Sequence, residues 1–369
     1  MKVMVVLGTR PEAIKLAPVI LQLRKTRGMK VTVVSTGQHQ AMVDQVLKVF
    51  RLRLDHDLKI MRHAQTLEQI TAGVFERFPA VLKRENPDLV LVQGDTSTAF
   101  AAALASFYQK IPIGHVEAGL RTHLKYLPFP EEKNRELIDH LSDLHFAATP
   151  LGKKNLLREG ISNRSITVTG NTVVDALYHV SRTPRPFEEP ALKRVPCDRR
   201  VILVTMHRRE HWGTPLQQVC LAIREIVKRH QNTHVVIPVH LNPRVRQIVR
   251  ASLDHHPSVT LTPPLGYGDF VQTMARSHLI LTDSGGVQEE APYLGKPLLV
   301  FRVATERPEA VKAKISRVIG FQPDVIVKEV SRLLDNPAVY AKMARVRRVF
   351  GDGRASERIV KVIQRFLSS

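Results

Sequence analysis

Cysteine is almost missing from this sequence. Only Cys197 and Cys220 occur in 369 residues, outside any C-x-x-C and with no clustered histidines. A disulfide scaffold and a zinc site are excluded on that count, and a reducing, cytoplasmic setting is expected. Aromatic residues make up 5%, too few for the stacking platforms that bind single-stranded nucleic acid. Long apolar runs are lacking as well. The N-terminus, MKVMVVLGTRPEAIKLAPVI, ends its first apolar run at Gly8, without the h-region and cleavage site of a signal peptide. The most apolar later stretch, AFAAALASFY, has about half the length that a membrane span requires. Membrane insertion is therefore not expected.

Acidic residues are few relative to basic ones: 34 against 55, a formal charge of +21. Such a balance suits nucleic acid, anionic membranes or anionic small molecules. The basic residues are spread along the chain and form no arm, so the expected partners are small anionic ligands, not nucleic acid. A chain of this length suits two domains of about 150 to 200 residues. Its 43% apolar and 24% charged content is that of an ordinary globular protein.

Short β-branched runs alternate with helical stretches. KVMVVL, VTVVS, LVLVQ, PIGHV and SITVT read as strands. Segments 12–27, 40–50 and 67–85 carry apolar residues at helical spacing between them. This is the rhythm of a parallel sheet covered on both faces. SRTPRPFEEPALKRVPCDRR, at 181–200, interrupts it and reads as a linker or surface excursion. VILVTM, HVVIPV, SVTLT, HLILT and PLLVF then restart it. Two Rossmann-like domains are predicted, 1–175 and 176–354, with ligands at the carboxyl ends of the strands.

The motifs fall at those ends. DSGG follows HLILT and opens a helix: Ser284 is placed to cap it, and Gly285 and Gly286 bare N–H groups suited to a diphosphate. Glu290 stands six residues past Ser284, about 9 Å along a helix. The same residues also suit a plain cap with glycines for close packing. GTRPEAIKLAP is the matching element of the first domain, with Arg10 at the turn, Pro11 in the first helical turn and Lys15 beyond. Asp95, Glu117 and Glu131 each stand where a strand or loop meets a helix. One such acid is usually a capping or dipole partner; three at one edge point to acid–base chemistry. His207, in TMHRREHWG, lies beside two arginines after the first strand of the second domain. No G-x-G-x-x-G follows a strand, and GYGDFV lacks the third glycine. Walker A, G-x-S-x-G and H-E-x-x-H motifs are also missing.

Taken in order, GTRPEAIKLAP, TGQH, VQGDTSTAFAAALASFYQKIPIGHVEAGLRT, PFPEEKNRELIDHLSDLHFAAT, GNTVVDAL, HRRE, PVHLNP, DSGGVQEEAPYLGKP and TERPEAV resemble one family. It is that of the non-hydrolysing UDP-N-acetylglucosamine 2-epimerases of bacterial envelope polysaccharide synthesis. The resemblance spans nearly the whole chain and implies an α/β fold of the glycosyltransferase-B kind: two Rossmann-like domains with parallel sheets facing across a cleft. A final helix at 355–369 would complete the first domain, and the second would bind UDP. The implied activity is interconversion of UDP-GlcNAc and UDP-ManNAc in a cytoplasmic homodimer, with neither metal nor redox cofactor. The implied catalytic residues are Asp95, Glu117, Glu131 and His207. Ser284, Gly285 and Gly286 would hold the diphosphate and Glu290 the ribose. Arg10 and Arg307 would join His207 along the phosphates, Lys15 would join the three acids around the sugar, and Phe270 would contact substrate.

Sugar chemistry favours the same scheme. The C2 hydrogen of a closed hexose is not next to a carbonyl, so inversion there requires oxidation at C3 or elimination of the anomeric substituent. Without a dinucleotide fingerprint, elimination and re-addition of UDP is the expected route. It needs stabilisation of the leaving diphosphate and acid–base groups near C2. The alternatives are a hydrolysing epimerase, a glycosyltransferase and a catalytically impaired nucleotide-sugar binder. Met206, His211, Val303 and Lys314 depart from the family's usual Gly, Asn, Asp and Gly. Ala41 and Ala64 stand where bacterial members place residues of an activator site, so the resemblance does not carry activation by UDP-GlcNAc to this chain.

Overall fold

The computed structural model describes residues 1–38, 40–62, 65–183, 185–302, 315–346 and 348–368. The chain divides into two compact units, Met1–His179 with Phe350–Ser369, and Val180–Val349.

The first unit is built on β1 (Lys2–Leu7), β2 (Lys30–Ser35), β3 (His56–Asp57), β4 (Leu89–Gln93), β5 (Ile113–Ala118), β6 (Leu144–Ala147) and β7 (Ile166–Val168). They lie in the order β3-β2-β1-β4-β5-β6-β7, and every pairing is parallel. Val3, Met4 and Val5 of β1 and Leu89 to Val92 of β4 are wholly buried. Strands covered on both faces read as continuous apolar runs, which is why these two are so plain in the sequence. The β3 and β6 strands were not anticipated. With two residues, β3 is too short for periodicity to register, and in β6 His145 breaks the apolar run.

The first helix, expected over 12–27, spans Arg10–Lys25. It starts earlier because buried Glu12 folds back on the turn before it, accepting from the Gly8 and Thr9 amides at 2.9 and 2.6 Å. Helices expected over 40–50 and 67–85 have those bounds. The β5 strand runs on through Glu117 to Ala118, past an irregularity in its register.

The second unit repeats the plan with β8 (Arg200–Thr205), β9 (Thr233–Pro238), β10 (Val259–Thr262), β11 (Leu279–Thr282), β12 (Leu298–Val300) and β13 (Ser316–Val318). Their order is β10-β9-β8-β11-β12-β13, again parallel. Ile202, Val204, Ile223, Leu281 and Phe301 belong to one buried cluster between this sheet and its helices, and Met206 belongs to it too. The proline-rich segment 181–200 is not a loose tether. Leu192, on the short helix Pro190–Lys193, is 2% exposed. The Glu188 and Glu189 amides donate to the Asp269 carboxylate at 3.1 and 2.8 Å.

The final helix, Ala355–Ser368, packs on the Arg10–Lys25 helix. Its start is fixed by Asp175, which accepts from the Ala355 and Ser356 amides and the Ser356 hydroxyl at 3.1, 2.8 and 2.6 Å. One buried carboxylate thus satisfies two of the amides that a helix start leaves unpaired. We expect Asp175→Ala to lose about 2 kcal/mol of stability, read as a lowered urea midpoint in far-UV circular dichroism. An unchanged midpoint would show that the cap does not hold the last helix in place.

Candidate functional site

In each sheet the winding reverses between two neighbouring strands, β1 and β4 in one, β8 and β11 in the other. Successive helices leave such a pair in opposite directions, so its carboxyl ends stay uncovered. Gly8 to Arg10 and Gly94 to Asp95 follow one pair; Met206 to Arg208 and Asp283 to Gly286 follow the other. Gly8 has to be glycine: a Cβ there would fall 2.2 Å from the Thr36 hydroxyl oxygen.

In the first unit Glu12 also reaches across the reversal, accepting from the Thr96 hydroxyl at 2.8 Å. Thr96 in turn caps the Ser97–Tyr108 helix through the Ala99 amide. Burial pushes the Glu12 carboxyl above its ordinary range, against these hydrogen bonds. Arg10 is the first residue of the helix that Glu12 caps, and Lys15 lies in its second turn. The Lys15 ammonium is 2.7 Å from both Glu117 carboxylate oxygens. Glu117 also accepts from the Gln93 amide at 2.5 Å and from Asn171 at 3.3 Å. Its φ is +70°, a left-handed conformation costly for a residue with a side chain. That twist at the end of β5 aims the carboxylate at Lys15. Asp139, on the Glu131–Leu141 helix, is wholly buried. It lies 2.6 Å from His115 Nδ1 and 2.7 Å from Arg121. Burial would raise the Asp139 carboxyl, but His115 and Arg121 outweigh it and hold it below the usual range.

Three bonds fix the corner that carries Asp95. His115 Nε2 meets the Gly94 carbonyl at 2.8 Å, Asn134 donates to the Asp95 carbonyl at 2.9 Å, and Arg135 pairs with the Asp95 side chain at 2.6 Å. Asn134 and Arg135 stand on the helix that Glu131 opens. Glu131 is raised above the ordinary carboxylate range, first by burial and then by the charge of Asp95, with Arg135 pulling the other way. Asp95 and Glu131 therefore interact, while Glu117 is held separately by Lys15. Two nearby carboxyls in unlike surroundings suit an acceptor and a donor of protons.

In the second unit everything turns on Asp283, which is fully buried. It accepts from the His207 amide at 3.2 Å and the Arg208 amide at 3.1 Å. The Nδ1 atoms of His207 and His211 lie 3.1 and 3.0 Å from its two oxygens. Burial would raise this carboxyl, but the hydrogen bonds from both imidazoles, the charge of His207 and the Arg208 amide hold it well below the carboxylate range. With Nδ1 on Asp283, the half-exposed His207 ring directs Nε2 away from its anchor. Met206, just before it, is 7% exposed and packs in the core.

The Ser284 hydroxyl faces the Val287 amide at 3.5 Å, at the start of the Gly285–Glu290 helix. Close packing does not account for the two glycines. Among the described residues a Cβ on Gly285 would meet nothing within 4 Å, and one on Gly286 only the Ser284 hydroxyl at 3.8 Å. Glu290 is 5% exposed and accepts from the buried Tyr267 hydroxyl at 2.7 Å. Tyr267 opens the Tyr267–Arg276 helix, on which Phe270 is half-buried; GYGDFV is thus a helix start, not a phosphate loop. Arg307, Val303, Lys314 and Ala64 lie outside the described residues.

Sequence reasoning missed Glu12, His115, Asn134, Arg135, Asp139 and Asp283, all of which stand in the quoted motifs. The one available signal was spacing: Arg135 follows Glu131 by four residues, one helical turn.

The family model for UDP-N-acetylglucosamine 2-epimerase matches residues 21–364. The chain is 47% identical to the UDP-N-acetylglucosamine 2-epimerase of Neisseria meningitidis serogroup A, covering 98% of this chain and 99% of that protein. The crystal structure of UDP-GlcNAc 2-epimerase from Neisseria meningitidis bound to UDP-GlcNAc matches with a TM-score of 0.91 at 46% identity, covering 99% of this chain and 100% of that one. Spinosyn rhamnosyltransferase SpnG, at 14% identity and a TM-score of 0.61 over 98% of this chain and 100% of its own, shares the fold alone, that of two parallel-sheet α/β domains of the glycosyltransferase-B kind. This chain belongs to the UDP-N-acetylglucosamine 2-epimerase family.

Proposed function

We propose that this protein interconverts UDP-GlcNAc and UDP-ManNAc without hydrolysis, by eliminating UDP and adding it back. The observation that carries this reading is the pairing of unlike carboxyls at the end of β4: Asp95 is fixed by a guanidinium at 2.6 Å, and Glu131 is raised by burial and by Asp95. Removing a proton from C2 while the C1–O bond breaks sends the electron pair to the diphosphate and leaves an unsaturated sugar. Adding UDP back, with a proton delivered to the other face of C2, completes the inversion. That sequence calls for one group able to take a proton and one able to hold it, beside a site for the departing anion.

In this reading Asp95, Glu117, Glu131 and Lys15 work on the sugar. Ser284 and the amides of Gly285 and Gly286 hold the diphosphate, with Arg10, His207 and Arg307 as its cationic partners. Glu290 reads the ribose, and Phe270 contacts the nucleotide sugar. Asp283 turns His207 so that one nitrogen is bound and the other is available. In the same proposal the protein acts as a cytoplasmic homodimer and supplies precursors for envelope polysaccharide. Among the described residues no helix is long and apolar enough to cross a membrane.

Incubating the protein with UDP-GlcNAc in D2O, with no added cofactor, should give UDP-ManNAc carrying deuterium at C2 by proton NMR. Free ManNAc with UDP would move the protein to the hydrolysing class, and no conversion would sink the reading. Gly286→Val puts a branched side chain where, among the described residues, a Cβ meets only one hydroxyl, so the fold should survive. UDP affinity should drop at least tenfold, about 1.4 kcal/mol, in calorimetric titration. Unchanged affinity would remove the glycines from the diphosphate site.

A further inference from the structure

Arg135 is 6% exposed and divides its guanidinium between two acids. One terminal nitrogen is 2.6 Å from Asp95 and the other 3.4 Å from Glu132. Glu132 is wholly buried and already accepts from the Thr122 and His123 amides at 2.9 and 2.7 Å. It is therefore a fixed anchor, and it keeps the guanidinium turned towards Asp95. Glu131 stands one helical turn before Arg135 on the same helix. The other titratable groups at this corner come from different elements: His115 of β5 on the Gly94 carbonyl, and Glu12 through Thr96. Glu117, also on β5, has its charge met by Lys15.

We propose that Arg135 is a positioning residue that divides the labour between Asp95 and Glu131, clamping the Asp95 carboxyl in a direct ion pair and leaving Glu131 to carry the proton. The inference rests on the epimerase reading and deepens it, because it states which member of the pair holds the proton. Geometry supports it in three ways. Arg135 touches Asp95 directly, it is buried where a charge acts strongly, and a second acid anchors its other nitrogen. The net direction of the Glu131 shift agrees: burial, and then Asp95, push it up by more than its own backbone hydrogen bond and Arg135 draw it down.

The test is the pH dependence of kcat for C2 inversion, with KM for UDP-GlcNAc measured alongside. A cation beside two carboxyls favours the state that has lost a proton. Removing it makes the pair hold both protons to higher pH, so the acid limb of the profile must move up. Arg135→Met should move that limb up by about one pH unit or more, with KM changed less than about threefold. Arg135→Lys, which keeps the charge but not the fork, should restore most of the limb. Glu132→Gln keeps one oxygen on the Thr122 and His123 amides, gives up the second Thr122 contact and the anchor of Arg135 on the other oxygen, and removes a competing negative charge beside a guanidinium that Asp95 still holds. It should move the limb the other way, to lower pH, and it remains informative if Arg135→Met fails to fold. A uniform loss of kcat at every pH, with the limb unmoved in Arg135→Met or in Glu132→Gln, would overturn the assignment and leave Arg135 a structural clamp. Absence of inversion by the unaltered protein is a separate result, which removes the epimerase reading and this inference with it.

Discussion

A parallel sheet wound in both directions leaves the carboxyl ends of two neighbouring strands uncovered, and both halves of this protein are arranged around that bare edge. Chain leaving β1, β4 and β11 turns almost at once into a helix, and chain leaving β8 does so after a short turn at Arg209–His211, so backbone amides and short polar side chains collect there. Such an edge attracts anions before any particular residue is considered. The two units then specialise it in opposite ways.

The first unit fills its edge with acid. Glu12 satisfies the backbone there, buried under the Gly8 and Thr9 amides, and ties the turn to Thr96. With the turn already satisfied by Glu12, Asp95, Glu117 and Glu131 are left with side-chain partners. Those partners differ: a guanidinium for Asp95, an ammonium for Glu117, and burial for Glu131. Unlike surroundings for like groups are what acid–base chemistry needs. The second unit carries Gly285 and Gly286 at its edge and sets one of its buried acids, Asp283, to orienting two imidazoles and two amides. His211 shares that carboxylate with His207, so the departure from the family's Asn at this position keeps a donor on Asp283.

Met206 belongs to the same buried cluster as Val204, Ile223 and Leu281, and the His207 amide that follows it is bound to Asp283.

Much of this was legible in the order of residues. Buried parallel strands must be apolar along their whole length, so β1, β4, β8 and β11 stood out, and the reversals of a doubly wound sheet placed GTRPE, GDTS, HRRE and DSGG at strand ends. Residue types at those ends were enough to suggest acid–base work in one half and anion binding in the other. Partners were not legible, because they depend on contacts between distant segments. Asp95 meets Arg135 across 40 positions of sequence and His207 meets Asp283 across 76, and periodicity carries no information about either. The left-handed turn at Glu117, the anchoring of 181–200 by Asp269 and the division of Arg135 between two acids were likewise decided only when helices packed on the sheets. Local patterning determined which residues reach the edge; tertiary packing decided which of them are paired, buried or left to act.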